Sequence, residues 1–168
     1  MQYAWTCSCC GKQYDTLPLD FAADAPEYWY DIPADEREKR AVLTADFCTV
    51  DSEHHFVRGC LDLPITGSEE KLVFGVWVSL SEASIRRAAE LWSAEVLEDE
   101  PPRYGWLSTR IRFYPGTLQL KAAVHFRGGG LRPLVELEPT DHLLAQDQHQ
   151  RISMERVQEI VAALMHRH

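Results

Sequence analysis

Residues 71–92, KLVFGVWVSLSEASIRRAAELW, pass from strict apolar alternation into helical spacing. Leu72, Phe74, Val76, Val78 and Leu80 share one face of an extended strand, and Val73 and Trp77 lie on the other. Both faces are apolar, which predicts an inner strand. Ser79-Leu80-Ser81-Glu82 then reads as a capping box, and Ile85, Ala88, Ala89 and Trp92 recur at i, i+3, i+4 and i+7. A helix is expected near 81–95. Ahead of it, the run from Asp46 predicts strands at Phe47–Val50 and His55–Ile65 around a polar turn at Asp51–Glu53. Phe56, Arg58, Cys60 and Asp62 alternate there against Val57, Leu61 and Leu63, with Gly59 marking a bulge. Three sequential strands predict an antiparallel meander.

Beyond the helix, an acidic, proline-ended loop is expected over Glu98–Pro102. Strands follow at Gly105–Phe113, Gln119–Arg127 and Arg132–Leu137, with hairpin turns at Tyr114-Pro115-Gly116 and Gly128-Gly129-Gly130. Val157, Ile160, Val161 and Leu164 predict a last helix from Ser153 to about His166. Near the start, Ala34–Ala41 reads as a short charged helix with acids early and bases late. Prolines at 18, 26 and 33 break any regular element from Tyr3 to Ile32, so that this segment should wrap the domain, its aromatics packed on the core. The expected fold class is α+β: a mainly antiparallel sheet of about six strands with two main helices, near 81–95 and 153–166, packed on it. One domain is expected over 1–168, with 1–33 as a Cys-containing, Pro-rich wrapping segment.

Composition narrows the class of partner. A net charge of −9 argues against general nucleic-acid binding. Residues 1–53 hold 11 acids against four Lys or Arg, whereas no acid falls between Pro101 and Val135, where Arg103, Arg110, Arg112, Lys121, Arg127 and Arg132 lie. No apolar run spans a bilayer and no signal peptide opens the chain, so a cytoplasmic protein without membrane contact is expected. Five cysteines, three of them at 7, 9 and 10, suit reduced thiols or a metal better than a secreted disulfide framework.

Cys7-Ser8-Cys9-Cys10-Gly11 carries CxxCG spacing, in which two thiolates reach one zinc ion and the glycine permits a tight turn. Cys7 and Cys10 are the candidate ligands, Cys9 points away, and Cys48 on its strand is the first choice as third, with a His as fourth. Cys60, His54, His55 and His142 are other residues that folding brings to such a site. The bland alternative is a turn of free thiols. Arg110 and Arg112, at i and i+2, share a strand face and are candidate ligand-binding residues together with His142; equally, the basic stretch neutralises the acidic segment folded over it. Asp141-His142 also reads as an imidazole bonded to backbone in a turn, and no catalytic residue is assigned. No Walker loop, dinucleotide fingerprint or HExxH pattern is present.

Several phrases line up with one family: Cys7-x-x-Cys10-Gly11, Phe56-Val57-Arg58-Gly59, Gly75-Val76-Trp77-Val78-Ser79-Leu80-Ser81, Tyr114-Pro115-Gly116-Thr117 and Leu137-Glu138-Pro139-Thr140-Asp141-His142. In order and spacing the chain resembles the bacterial domain of unknown function 2199 along nearly its whole length. The resemblance implies a His four residues after the second Cys and a Pro after the later His; Tyr14 and Leu143 stand there. It implies no activity. Two classes of function are carried forward: a small cytosolic binding module that neutralises a basic protein partner and contains a structural zinc turn, or an enzyme with a sheet-edge pocket for a small anionic substrate.

Overall fold

The structure, a computed structural model, describes residues 4–95 and 99–166. Tyr3, at the start of the expected wrapping segment, and Glu98, at the start of the expected acidic loop, lie outside these residues. Strands β1 (Trp5–Thr6) and β2 (Gln13–Tyr14) form a small antiparallel sheet. β3 (Asp20–Ala22), the short helix α1 (Glu27–Tyr30), a 3-10 turn at Ala34–Glu36 and α2 (Arg37–Arg40) lead into β4 (Ala41–Leu43) and β5 (Phe47–Val50). The chain then forms a long hairpin from β6 (His54–Pro64) and β7 (Lys71–Leu80), in register from His55↔Leu80 to Pro64↔Lys71. α3 (Glu82–Leu91), β8 (Arg103–Leu107), β9 (Lys121–His125), β10 (Leu134–Leu137), α4 (Leu143–Gln150) and α5 (Met154–Met165) complete it.

The sheet closes on itself. β6, β7, β8, β9 and β10 pair in that order, and β10 returns to β6 as a parallel neighbour at Leu134↔Cys60. This corrects the expectation of a mainly antiparallel sheet of about six strands under two main helices: the described residues form a closed five-stranded barrel with five further strands and five short helices. The cause is the length of the hairpin. A strand of ten or eleven residues offers more hydrogen-bonding edge than one neighbour of four or five covers, so each outer edge is divided. β6 gives its first half to β5 and its middle to β10; β7 gives Val73–Gly75 to parallel β3 and its end to β8. Closure then leaves the barrel strands without a bare edge.

Two glycines make the close approaches possible. A Cβ on Gly59 would stand 2.6 Å from Val135 Cγ2 and 3.0 Å from the Pro133 carbonyl oxygen, across the β10–β6 seam. One on Gly105 would stand 1.7 Å from the Ser79 carbonyl oxygen, across β7–β8. Gly59 therefore serves the barrel's closure, and its neighbour Cys60 keeps a regular bond to Pro133.

The hairpin's alternation sorts two cores. Leu72, Phe74, Val76, Val78 and Leu80 join Val57, Leu61 and Leu63 in the main core, while Trp77 and Phe56 face outward into a second cluster with Ile32, Cys48 and Val50. Trp77 is fully buried and its indole N–H donates to the Ala23 carbonyl at 2.9 Å, which ties the N-terminal segment to the barrel wall. After Leu107 the strand expected to run to Phe113 ends, because hydroxyls take over the backbone's partners. The Trp77 N–H donates to Thr109 Oγ1 at 2.9 Å, and Thr117 Oγ1 donates to the Thr109 carbonyl at 2.8 Å. All three hydroxyl residues here, Ser108, Thr109 and Thr117, are buried and bonded, as buried polar groups require.

α4 and α5 pack on the barrel through Leu144, Ala145, Val157, Ile160, Val161 and Ala162. They are pinned to the loop ahead of β9 by one carboxylate: Asp147 accepts from the Tyr114 hydroxyl and, at 2.8 Å, from Arg156 Nε. Burial first, then the Asp147 carboxylate, pushes the Tyr114 phenol far above its ordinary range. Asp147→Ala strands a phenol in the core, and urea unfolding should show a loss of about 2 kcal/mol without loss of the fold.

Candidate metal centre

The ladder of β1 and β2 pairs Trp5 with Tyr14 and Thr6 with Gln13, which holds the two ends of the cysteine turn together. Trp5 stacks on Tyr14 at 5.2 Å, and its indole N–H donates to Thr16 O at 2.9 Å. Inside the turn the Cys7 N–H donates to Lys12 O at 2.9 Å and the Gly11 N–H to Cys7 O at 2.8 Å. Gly11 has φ +72°, in the left-handed region that the tight return needs. The ladder seals Cys7 in the main core at 1% exposure and leaves Cys10 at the surface.

The third donor comes from the other end of the chain. Ser153 caps α5 by accepting from the Arg156 N–H at 3.1 Å, and the helix lays its apolar face on the core as far as its final turn. There the Arg112 guanidinium donates to the Leu164 carbonyl, one of the last-turn groups that a helix leaves without an internal partner. His166 thus arrives with Nε2 3.1 Å from Cys7 Sγ and 3.6 Å from Cys10 Sγ. The three donor atoms all lie within 4.8 Å of one another. A tetrahedral zinc ion with Zn–S of about 2.3 Å and Zn–N of about 2.0 Å holds sulfur and nitrogen about 3.5 Å apart. The two observed separations straddle that value, so the set fits the ion and leaves one coordination position over.

The electrostatics favour the ligand form of one thiol. Burial raises Cys7, but backbone N–H groups of Cys9 and Cys10, with the side chains of His166 and Cys10, outweigh it and bring it down from 9.0 to about 7. Cys9 is raised, by burial and then by its neighbour Cys7; Tyr14 is raised by burial and then by Cys10 and Cys7. The turn therefore concentrates thiolate on Cys7, the form that binds metal. Because this folded pKa is depressed, its contribution to stability is complete above pH 9 and is lost as pH falls through about 7. In metal-free protein the thiolate absorbance that Cys7→Ser removes should titrate near pH 7.

The other candidates sit elsewhere. Cys48 is not in this cluster: it packs against Trp77, Phe56 and Val50 at 1% exposure, and burial pushes its thiol up to about 11. There it behaves as a small apolar side chain. His142 caps α4, its Nδ1 accepting from the Leu144 N–H at 3.1 Å. Its Nε2 is 2.7 Å from the Pro115 carbonyl, which only accepts, so that nitrogen carries the proton and both ring nitrogens are engaged. Leu143 behind it is simply the first helical residue, a position that Pro also suits. Arg110 and Arg112 line one cleft of about 300 Å³ with Phe21 and Phe74, but Arg110 pairs with Glu27 at 3.1 Å and Arg112 is held by the end of α5. His54, His55 and Cys60 lie on β6, outside the cluster.

Sequence reasoning did not reach His166. Its only signal was its place two residues past the apolar stripe of the last helix, and no spacing rule links position 166 to position 7. Tyr14 stacks on Trp5 beside the turn, and burial and then the neighbouring thiols raise its phenol, which makes it a poor ligand. An imidazole delivered by α5 stands at the thiols instead.

Comparison with curated proteins finds no match, and comparison with solved structures finds none. A family model described as "Uncharacterized protein conserved in bacteria" (DUF2199) matches residues 6–152, a span that holds both thiols of the cluster and all five barrel strands, and on that match the chain belongs to this bacterial family.

Proposed function

We propose that this chain is a cytoplasmic binding module whose cysteine turn is fastened to its last helix by a structural zinc ion on Cys7, Cys10 and His166. The observation that carries the reading is the meeting of two thiols and an imidazole at zinc-like separations from opposite ends of the chain. Free thiols at all five cysteines support a reducing compartment. Among the described residues no helix is long and apolar enough to cross a membrane. Elemental analysis tests the metal first. Protein purified under reducing conditions without chelator should hold about one zinc per chain, and Cys7→Ser and His166→Ala well under one. Wild-type protein that is zinc-free and takes up no added zinc would reduce the turn to an ordinary loop.

The partner we infer is a protein with a basic surface. Two arginines of the basic stretch, Arg110 and Arg132, pair with Glu27 and Asp46 of the acidic first third. Asp15, Asp20, Asp24, Asp31, Asp35 and Glu38 remain exposed, with no ion pair among the described residues. Exposed carboxylates without ion pairs attract an oppositely charged surface, and the attraction weakens with salt. Capture of a basic protein at low salt, lost at high salt and lost in Asp31→Lys/Asp35→Lys/Glu38→Lys, is the expected result. Capture that ignores both changes rejects the acidic face as the contact.

A further inference from the structure

A cleft of about 430 Å³, well within the size range of small-molecule sites, opens beside β8 among residues that take no part in the zinc cluster. On β8, Gly105 and Leu107 are buried, whereas Tyr104 and Trp106 alternate outward at 63% and 49% exposure and line the cleft. Tyr28 lines it as well, its ring 5.2 Å from His54 and 5.3 Å from Phe56. Three of the four exposed aromatic side chains among the described residues therefore surround one cavity; only Tyr30 lies apart. Exposed rings gathered in one place mark a contact surface, since singly scattered ones would need no explanation. The platform is also fixed: the Trp106 N–H donates to Ser79 Oγ at 3.3 Å, and Tyr104 and Trp106 pair with Ala123 and Lys121 of β9.

The remaining lining selects the ligand's chemistry. His54 and Gln119 bear groups that both donate and accept hydrogen bonds, whereas the Ser81 hydroxyl is engaged by Ser84 and His55 Nδ1 faces Thr49 Oγ1 at 3.3 Å; no Lys or Arg lines the cleft. Glu53 is the one charged side chain there. A phosphorylated or carboxylated ligand would meet Glu53 and no Lys or Arg in the lining; the nearby Lys121 ammonium is engaged on the Tyr104 ring, 5.8 Å from its centroid. A hydroxyl-rich ring with an apolar face meets aromatic faces to lie on, dual-function groups around its edge and a carboxylate that accepts from its hydroxyls. We propose that this cleft binds a neutral saccharide, stacked on Trp106 and Tyr104 and hydrogen-bonded by His54, Gln119 and Glu53. The proposal goes beyond the zinc reading and is independent of it.

Isothermal titration of the zinc-replete full chain with maltotriose, cellotriose and chitotriose tests it. At least one should bind saturably, and Trp106→Ala and Tyr104→Ala should each weaken it about tenfold at unchanged melting temperature. Tyr30→Ala, which alters an exposed ring outside the cleft, should bind as wild type does. Three sugars without saturable binding at about 10 mM, equal binding by Trp106→Ala, or adenosine binding more tightly than any of them would overturn the proposal. Zinc content measured on the same samples keeps the two readings apart, because loss of metal with sugar binding intact rejects only the first.

Discussion

Gly105→Ala should cost at least about 3 kcal/mol and yield little soluble, natively folded protein. The added Cβ would lie 1.7 Å from the Ser79 carbonyl oxygen and 2.9 Å from the carbonyl carbon, so the obstruction is backbone rather than a flexible side chain. Relief requires β8 to move off β7, yet both belong to a closed ring, and a shift at one seam is passed to β9, β10 and β6. An open sheet would splay at its edge; a barrel has no edge to yield. Gly116→Ala is the control. Nothing lies within 4 Å of its Cβ position, and φ +62° makes strain the main penalty, about 1 kcal/mol. Urea midpoints for the two variants should differ clearly, and equal midpoints would mean that the β7–β8 contact relaxes as an open edge does.

Alternation located β7, Lys71–Leu80, within the stretch 71–92 and assigned Leu72, Phe74, Val76, Val78 and Leu80 to one face and Trp77 to the other, because side-chain period reports which face is covered. The start of α5 at Ser153 was legible for the same local reason, its hydroxyl accepting an N–H three residues on, but the capping box was misplaced by two residues: the pattern puts the cap hydroxyl on Ser79, whereas Ser79 lies in β7 and Ser81 accepts the Ser84 N–H. Closure was not legible, since period says nothing about which edge pairs with which. α4 escaped because its cap is an imidazole, and the strand after Gly105 was drawn too long because Thr109 and Thr117 complete backbone bonds that a ladder otherwise makes. In the metal centre the local half, Cys7 and Cys10, could be read from spacing. The other half depends on Arg112 and the packed face of α5, both tertiary facts.

Removing zinc should lower the melting temperature by about 10 °C. A ligand that binds only the folded chain stabilises it by about 4 kcal/mol when its free concentration is a thousandfold above Kd, and in a chain of this size each kcal/mol moves the midpoint by roughly 2–4 °C. The ion would join residues 159 positions apart, so its loss frees the cysteine turn from the last turn of α5. Cys7→Ser should melt where chelated wild type melts and be indifferent to chelator. His166→Ala should behave likewise if the imidazole is a ligand. Tyr14→His, which puts an imidazole on the strand that closes the cysteine turn, should raise zinc affinity and widen the gap between loaded and stripped protein. A wild-type midpoint unmoved by chelator, with metal shown to have left, would deny the ion any structural part.

The ring of strands is not equally strong all round. β6 and β7 share ten paired positions and β9 and β10 share four, but β10 meets β6 at the single pair Leu134↔Cys60, next to the bond from the Cys60 N–H to Pro133. That join is also the most distant along the chain of the barrel's pairings and the last whose loop entropy is repaid, so folding should end there and breathing begin there. The Cys60 amide should then exchange its hydrogen faster than those of the β6–β7 ladder. When the join opens, it briefly exposes two unpaired strand edges, a place where a second copy can exchange strands.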